Sequence, residues 1–203
     1  MTQTQARGGT WAPSMTVLVW SVTAFLGLSA VPAAAEPPED LAPFFAISEI
    51  RLGAFAANLD EGESEDAETL INAEILFGRL GRADYADPIW DVLLRPRPHI
   101  GTSISVDEGG TNQVYAGLTW EVRLTDWAFV EASFGGTLHD GPTDGNDPDS
   151  YGCALLFRES ASLGFDIAER TRLLFTVDHM ANAGLCVQNQ GLTNAGVRLS
   201  YRW

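Results

Sequence analysis

From residue 44 onward, apolar and polar positions trade places at every second residue. That is the period of a strand whose two faces meet different surroundings. The clearest run is 113–124, QVYAGLTWEVRL. Val114, Ala116, Leu118, Trp120, Val122 and Leu124 share one face, and Gln113, Tyr115, Gly117, Thr119, Glu121 and Arg123 share the other. At the C-terminal end, Val197, Leu199, Tyr201 and Trp203 alternate with Arg198, Ser200 and Arg202. In 171–181, Leu173, Phe175, Val177, His179 and Ala181 oppose Arg172, Thr176 and Asp178, with Leu174 and Met180 as exceptions. In 151–167, Tyr151, Leu155, Phe157, Leu163, Phe165 and Ile167 oppose Arg158, Ser160, Ser162 and Asp166. With the weaker runs, the pattern predicts eight strands, near 44–57, 69–78, 98–106, 113–124, 126–138, 151–168, 171–181 and 192–203.

The connections predict how the strands are joined. Thr125-Asp126 and the stretch 168–171 are tight turns, whereas 58–68, 139–150 and 182–191 are long polar loops. Short turns at one end and long loops at the other are the mark of an outer-membrane barrel. Segment 79–97 is long although it belongs at the short-turn end, and a helical turn is expected there around Pro88-Ile89-Trp90.

Alternation alone does not say which face points outward, since a soluble eight-stranded barrel alternates too. Two features favour lipid. The polar face carries charge in mid-strand (Glu121, Arg123, Arg158, Arg198) among Gly and Ser. That mixture suits an eight-stranded interior, which side chains just fill. The last strand also ends on Trp203 with apolar residues two, four and six positions earlier, like the signal read by the barrel assembly machinery. The expected fold is therefore all-β, an eight-stranded antiparallel outer-membrane β-barrel. Glu159 falls on the face assigned to lipid. A bulge turning it inward or a place near an interface would account for it.

Composition agrees with an exported chain. Residues 15–31, MTVLVWSVTAFLGLSAV, form an apolar stretch after Arg7, and Ala33-Ala34-Ala35 gives an A-x-A cleavage site. Residues 1–35 are read as a secretory signal peptide, with an uncleaved anchor as the alternative. Residues 36–203 then form the barrel domain. The net charge is −15, and no Lys occurs, so no nucleic-acid partner is expected. Cys153 and Cys186 are an even pair in the exported part; one disulfide suits an oxidising compartment, two free or buried thiols being the alternative.

Candidate chemistry is sparse. Asp140, Asp144, Asn146, Asp147 and Asp149 offer oxygen ligands, but without EF-hand spacing they read as a solvated acidic loop. The six carboxylates of 60–68 repel one another. His99 and His139 show no constellation. No metal or other cofactor is expected. His179 closes the seventh strand with the parity of Phe175 and Val177. Because the preceding turn is short, this strand runs outward, and His179 is expected to face lipid at the outer leaflet.

The segment 178–203, DHMANAGLCVQNQGLTNAGVRLSYRW, resembles the C-terminal part of the PagL-type lipid A 3-O-deacylases, with a looser likeness back to about residue 47. That family pairs a His-x-Ser-Asn-Ala-Gly motif with a later Glu. The resemblance implies an eight-stranded outer-membrane esterase acting on lipopolysaccharide. His179 matches the base, and Asn182, placed for oxyanion support, begins the matching Asn-Ala-Gly run with Ala183 and Gly184. Ala181 stands where the nucleophilic Ser belongs, and Thr193 where the Glu belongs. Alanine has no oxygen to activate, and threonine brings no charge to steady an imidazolium. Two functions follow: a lipid A deacylase-like esterase, or a catalytically silent barrel that binds lipopolysaccharide or serves as a scaffold. A homodimer is left open.

Overall fold

A computed structural model describes residues 46–57, 59, 68–81, 85–144 and 150–203. The predicted signal peptide 1–35 lies outside the described residues, as do most of the acidic run 60–68 and the loop residues Asn146, Asp147 and Asp149.

Eight strands form: β1 (Ile47–Ala56), β2 (Thr69–Phe77), β3 (Arg97–Ser105), β4 (Gln113–Arg123), β5 (Ala128–His139), β6 (Leu155–Ala168), β7 (Thr171–Ala181) and β8 (Leu192–Arg202). Each pairs antiparallel with the next, and β8 pairs with β1 to close the barrel. Closure satisfies every strand edge, as hydrocarbon surroundings require.

The two faces are distributed as a lipid solvent dictates. Leu52, Ile71, Val114, Phe134, Phe175 and Leu199 point out and are about half exposed. Glu49, Arg51, Glu74, Glu131, Arg172 and Arg198 point in and are at most 5% exposed. A soluble barrel would reverse this arrangement.

The interior charges are paired. Arg51 donates to Glu131 through both terminal nitrogens (2.7 and 2.8 Å), to Glu49 (2.7 Å) and to Glu74 (3.2 Å). Arg97 donates to Glu49 at 2.6 Å, and Arg172 to Glu121 at 2.7 Å. Arg158 stacks 3.9 Å over the Tyr115 ring and donates to Asp178 at 2.9 Å. Buried charges are tolerated when paired and hydrogen-bonded in this way.

Toward the long-loop end the lumen turns apolar. Phe55, Ala57, Leu70, Tyr151, Leu156, Met180 and Leu192 form one cluster, with Cys153 against it. This explains the odd position of Met180, which fills the lumen; Leu174 likewise points inward and is fully buried. It also corrects Tyr151, which the pattern placed on the outward face. Gly152 has a positive φ of 79°, so the chain breaks before β6 begins and Tyr151 turns in beneath His139 (ring centroids 4.8 Å apart).

The expected helical turn is α1 (Pro88–Leu94). Asp87 caps it by accepting from the Ile89 amide (2.9 Å), and Pro88 occupies the first turn, where its missing N–H costs nothing. Trp120 Nε1 donates to the Leu93 carbonyl at 3.1 Å, seating α1 on β4. Cys153 and Cys186 form a disulfide that joins the β5–β6 loop to the β7–β8 loop.

Candidate functional site

The end of β7 gathers the predicted residues, and the register sets their order. Phe134 pairs with Glu159, Glu159 with His179, and His179 with Thr193. Four neighbouring strands thus place these side chains in one row on the outward face, at the long-loop end. Directly opposed residues hold their Cβ atoms about 4.5–5.5 Å apart. Glu159 is exposed, whereas His179 and Thr193 are half-buried. No bulge interrupts β6 between Phe157 and Asp166, so Glu159 stays outward. It lies toward the long-loop end, across from His179, so a bulge does not account for it.

His179 Nδ1 and Thr193 Oγ1 are 2.8 Å apart, a hydrogen bond whose donor depends on the tautomer. The ring leans over Gly191, where an added Cβ would come within 2.7 Å of His179 Cε1. Glycine there leaves the imidazole its room. Ala181 pairs with Phe157 on the same outward face, one step closer to the loop, and carries no heteroatom.

Asn182 has the opposite parity and is buried at 2% exposure. Its amide donates to the carbonyls of Tyr151 (2.8 Å) and Gln188, its Oδ1 accepts from the Gly184 amide (2.8 Å), and its own N–H goes to Asn189 Oδ1 (2.9 Å). Ala183 and Gly184 follow with φ of 55° and 77°. In this conformation Asn182 braces the β7–β8 loop beneath the row. Asp178, the neighbour of His179 in sequence, faces the lumen and bonds Arg158 and Asn194.

The other histidines have bracing tasks. His139 accepts from the Gly141 amide at Nδ1 (3.1 Å), so its Nε2–H donates to the Cys153 carbonyl (2.8 Å). His99 is buried in the lumen with Thr119 Oγ1 2.9 Å from Nδ1. Among the described residues no three His, Cys, Asp or Glu side chains converge as a metal cage. Asp140 accepts from the backbone and side-chain amides of Asn112, both at 2.7 Å, and these bonds hold its carboxyl below the ordinary value.

Comparison with known proteins gives this geometry a context. A family model described as lipid A 3-O-deacylase (PagL) matches residues 99–202, just over half of the chain. The chain belongs to this family. The crystal structure of the outer membrane enzyme PagL superposes with a TM-score of 0.57 at 14% sequence identity, covering 77% of this chain and 100% of that one. That likeness is one of fold. A de novo designed transmembrane β-barrel gives a TM-score of 0.48 at 8% identity, covering 78% and 97% of the two chains. The Yersinia pestis outer membrane protein Ail gives 0.43 at 10%, covering 77% and 99%. No curated protein matches the chain. The matched region 99–202 includes His179, Ala181 and Thr193, which lie on the same outward wall.

Sequence reading singled out His179, Ala181, Asn182 and Thr193 and left Glu159 unplaced; the register sets Glu159 across from His179. The signal for Glu159 was present: a carboxylate on a largely apolar face is a costly choice that calls for a neighbour.

Proposed function

We propose that the protein is an outer-membrane esterase that removes an ester-linked acyl chain from lipid A at the outer leaflet, with His179 as the base. The observation that carries this reading is His179 itself. It is a half-buried imidazole on the lipid-facing wall, at the loop end, hydrogen-bonded to a hydroxyl at 2.8 Å. The loop end of the wall is where the acyl esters of a lipid would meet the headgroup layer, and an imidazole there can take a proton from an attacking oxygen. Family membership supplies the substrate class. Oxyanion support from Asn182 requires its amide to leave a loop carbonyl as substrate binds. Residues 1–35 direct export, and the Trp203 end engages the barrel assembly machinery.

A second reading keeps the barrel and drops the chemistry. Ala181 has no oxygen where the family places its nucleophile, so a silent member would bind lipopolysaccharide through the same wall. Mass spectrometry of lipid A incubated with the protein in mixed vesicles separates the two. Loss of one acyl chain, abolished by His179→Ala, is the expected result. An inert parent protein that gains activity on Ala181→Ser would establish the silent scaffold instead.

A further inference from the structure

We propose that the reacting hydroxyl has moved to Thr193, so that Glu159, His179 and Thr193 form a relocated triad running across β6, β7 and β8. The ester substrate in this proposal rests on the function proposed above; the triad itself rests on the register and one hydrogen bond.

A nucleophilic alcohol needs a base within hydrogen-bond reach, and the base needs a third group to hold it. Thr193 Oγ1 lies 2.8 Å from the imidazole, inside the range for proton transfer. Other Ser and Thr hydroxyls of the neighbouring strands are elsewhere. Ser160 is hydrogen-bonded to Ser133, Ser162 to Thr176 (2.9 Å), and Ser200 to Glu49 (2.6 Å), all on the lumen side. Thr171 lies at the tight-turn end of β7. Glu159 stands directly across the β6–β7 pair from His179. A glutamate is long enough to reach across the pair and steady the imidazolium once it forms.

The next outward row toward mid-membrane is Ala161, Val177, Ala195 and Ala56. Three of the four are alanines, lower than the stacked rings of Phe134 and Phe157 (6.1 Å) on β5 and β6. An acyl chain lying there would present its ester carbonyl to Thr193.

The step balances. Thr193 Oγ1 attacks the ester carbonyl while its proton passes to His179. The tetrahedral intermediate collapses, and the leaving alcohol takes that proton. Water then attacks the acyl-threonine, giving its proton to His179. The fatty acid departs as the proton returns to Thr193 Oγ1.

The test uses the protein in vesicles with two substrates, lipid A and a p-nitrophenyl acyl ester, together with a fluorophosphonate probe located by peptide mass spectrometry. The probe is expected on Thr193. Thr193→Ala is expected to lower both hydrolyses at least about a hundredfold, with Thr193→Ser retaining activity. Glu159→Gln should lower kcat about tenfold or more and displace the acidic limb of the pH–rate profile, with partial rescue by Glu159→Asp. Heat-modifiable gel migration reports that each variant is folded. If lipid A is cleaved equally well by Thr193→Ala, the triad is overturned while the deacylase reading stands. If only the p-nitrophenyl ester is cleaved, and through Thr193, the triad stands and the lipid A reading fails. Absence of both labelling and hydrolysis in the folded parent overturns the triad.

Discussion

Replacing Arg51 by methionine removes a cation from the middle of the lumen and leaves three carboxylates facing the gap. The costs are unequal. Glu49 keeps Arg97 at 2.6 Å and the Ser200 hydroxyl at 2.6 Å. Glu74 keeps the Tyr115 hydroxyl at 3.1 Å and Arg198 at 3.5 Å. Glu131 takes both of its hydrogen bonds from Arg51, at 2.7 and 2.8 Å, and has no other ion-pair partner among the described residues. The loss is therefore dominated by one orphaned, buried carboxylate, and the expected cost is about 3–5 kcal/mol. The methionine fills much of the arginine volume, so cavity formation adds little. Adding Glu131→Gln removes the orphaned charge and should recover about 1–3 kcal/mol. Urea unfolding in lipid vesicles, followed by tryptophan fluorescence, measures both values. A loss below about 1 kcal/mol for Arg51→Met, or a further loss on adding Glu131→Gln, would refute the account of the lumen.

Leu163 is outward in mid-β6, so Leu163→Arg should cost about 2–4 kcal/mol in the same assay; an unchanged midpoint would mean that this wall does not meet hydrocarbon. Gly191→Ala pushes a methyl against His179 Cε1. Deacylation should fall about a hundredfold, with the unfolding midpoint held, because small misplacements of a reacting group are costly. Converting Cys153 and Cys186 to Ala opens a tie spanning 33 residues, at an expected cost of about 3–4 kcal/mol, read as a lower urea midpoint together with faster protease cleavage of the β7–β8 loop. Asp140 is held below the ordinary carboxylate value by Asn112. Its contribution is present above that ordinary value and is lost as pH falls through the lowered one; Asp140→Asn should flatten this acid dependence of loop protection from protease.

Much of the barrel was legible because a lipid-facing wall imposes a strict period of two. β7 begins and ends where alternation and the flanking turns put it, at Thr171 and Ala181. β6 does not: the pattern ran back to Tyr151, but Gly152 at positive φ and the tether at Cys153 hold that stretch in the loop, so the strand opens at Leu155. Periodicity does not record a local break when the residues on either side keep the same parity. The apolar cluster at the loop end was missed for a related reason. Leu174 and Met180 read as violations, whereas the interior needs greasy fillers wherever no ion pair is seated. At the candidate site, the motif pointed to His179 and Thr193, but it compares positions along one strand at a time. The juxtaposition of Glu159 with His179 exists only across the β6–β7 pairing, which register alone establishes.

The stuffed lumen has a kinetic corollary. With Arg51, Arg172 and Arg198 side chains packed through it, no molecule passes along the cylinder's axis to the histidine. For the proposed deacylase, the reactant would have to drift in sideways through the leaflet, in two dimensions. Turnover would then scale with the mole fraction of substrate among its neighbours, not with its amount per litre, and diluting the membrane with inert lipid would slow the protein as surely as removing substrate.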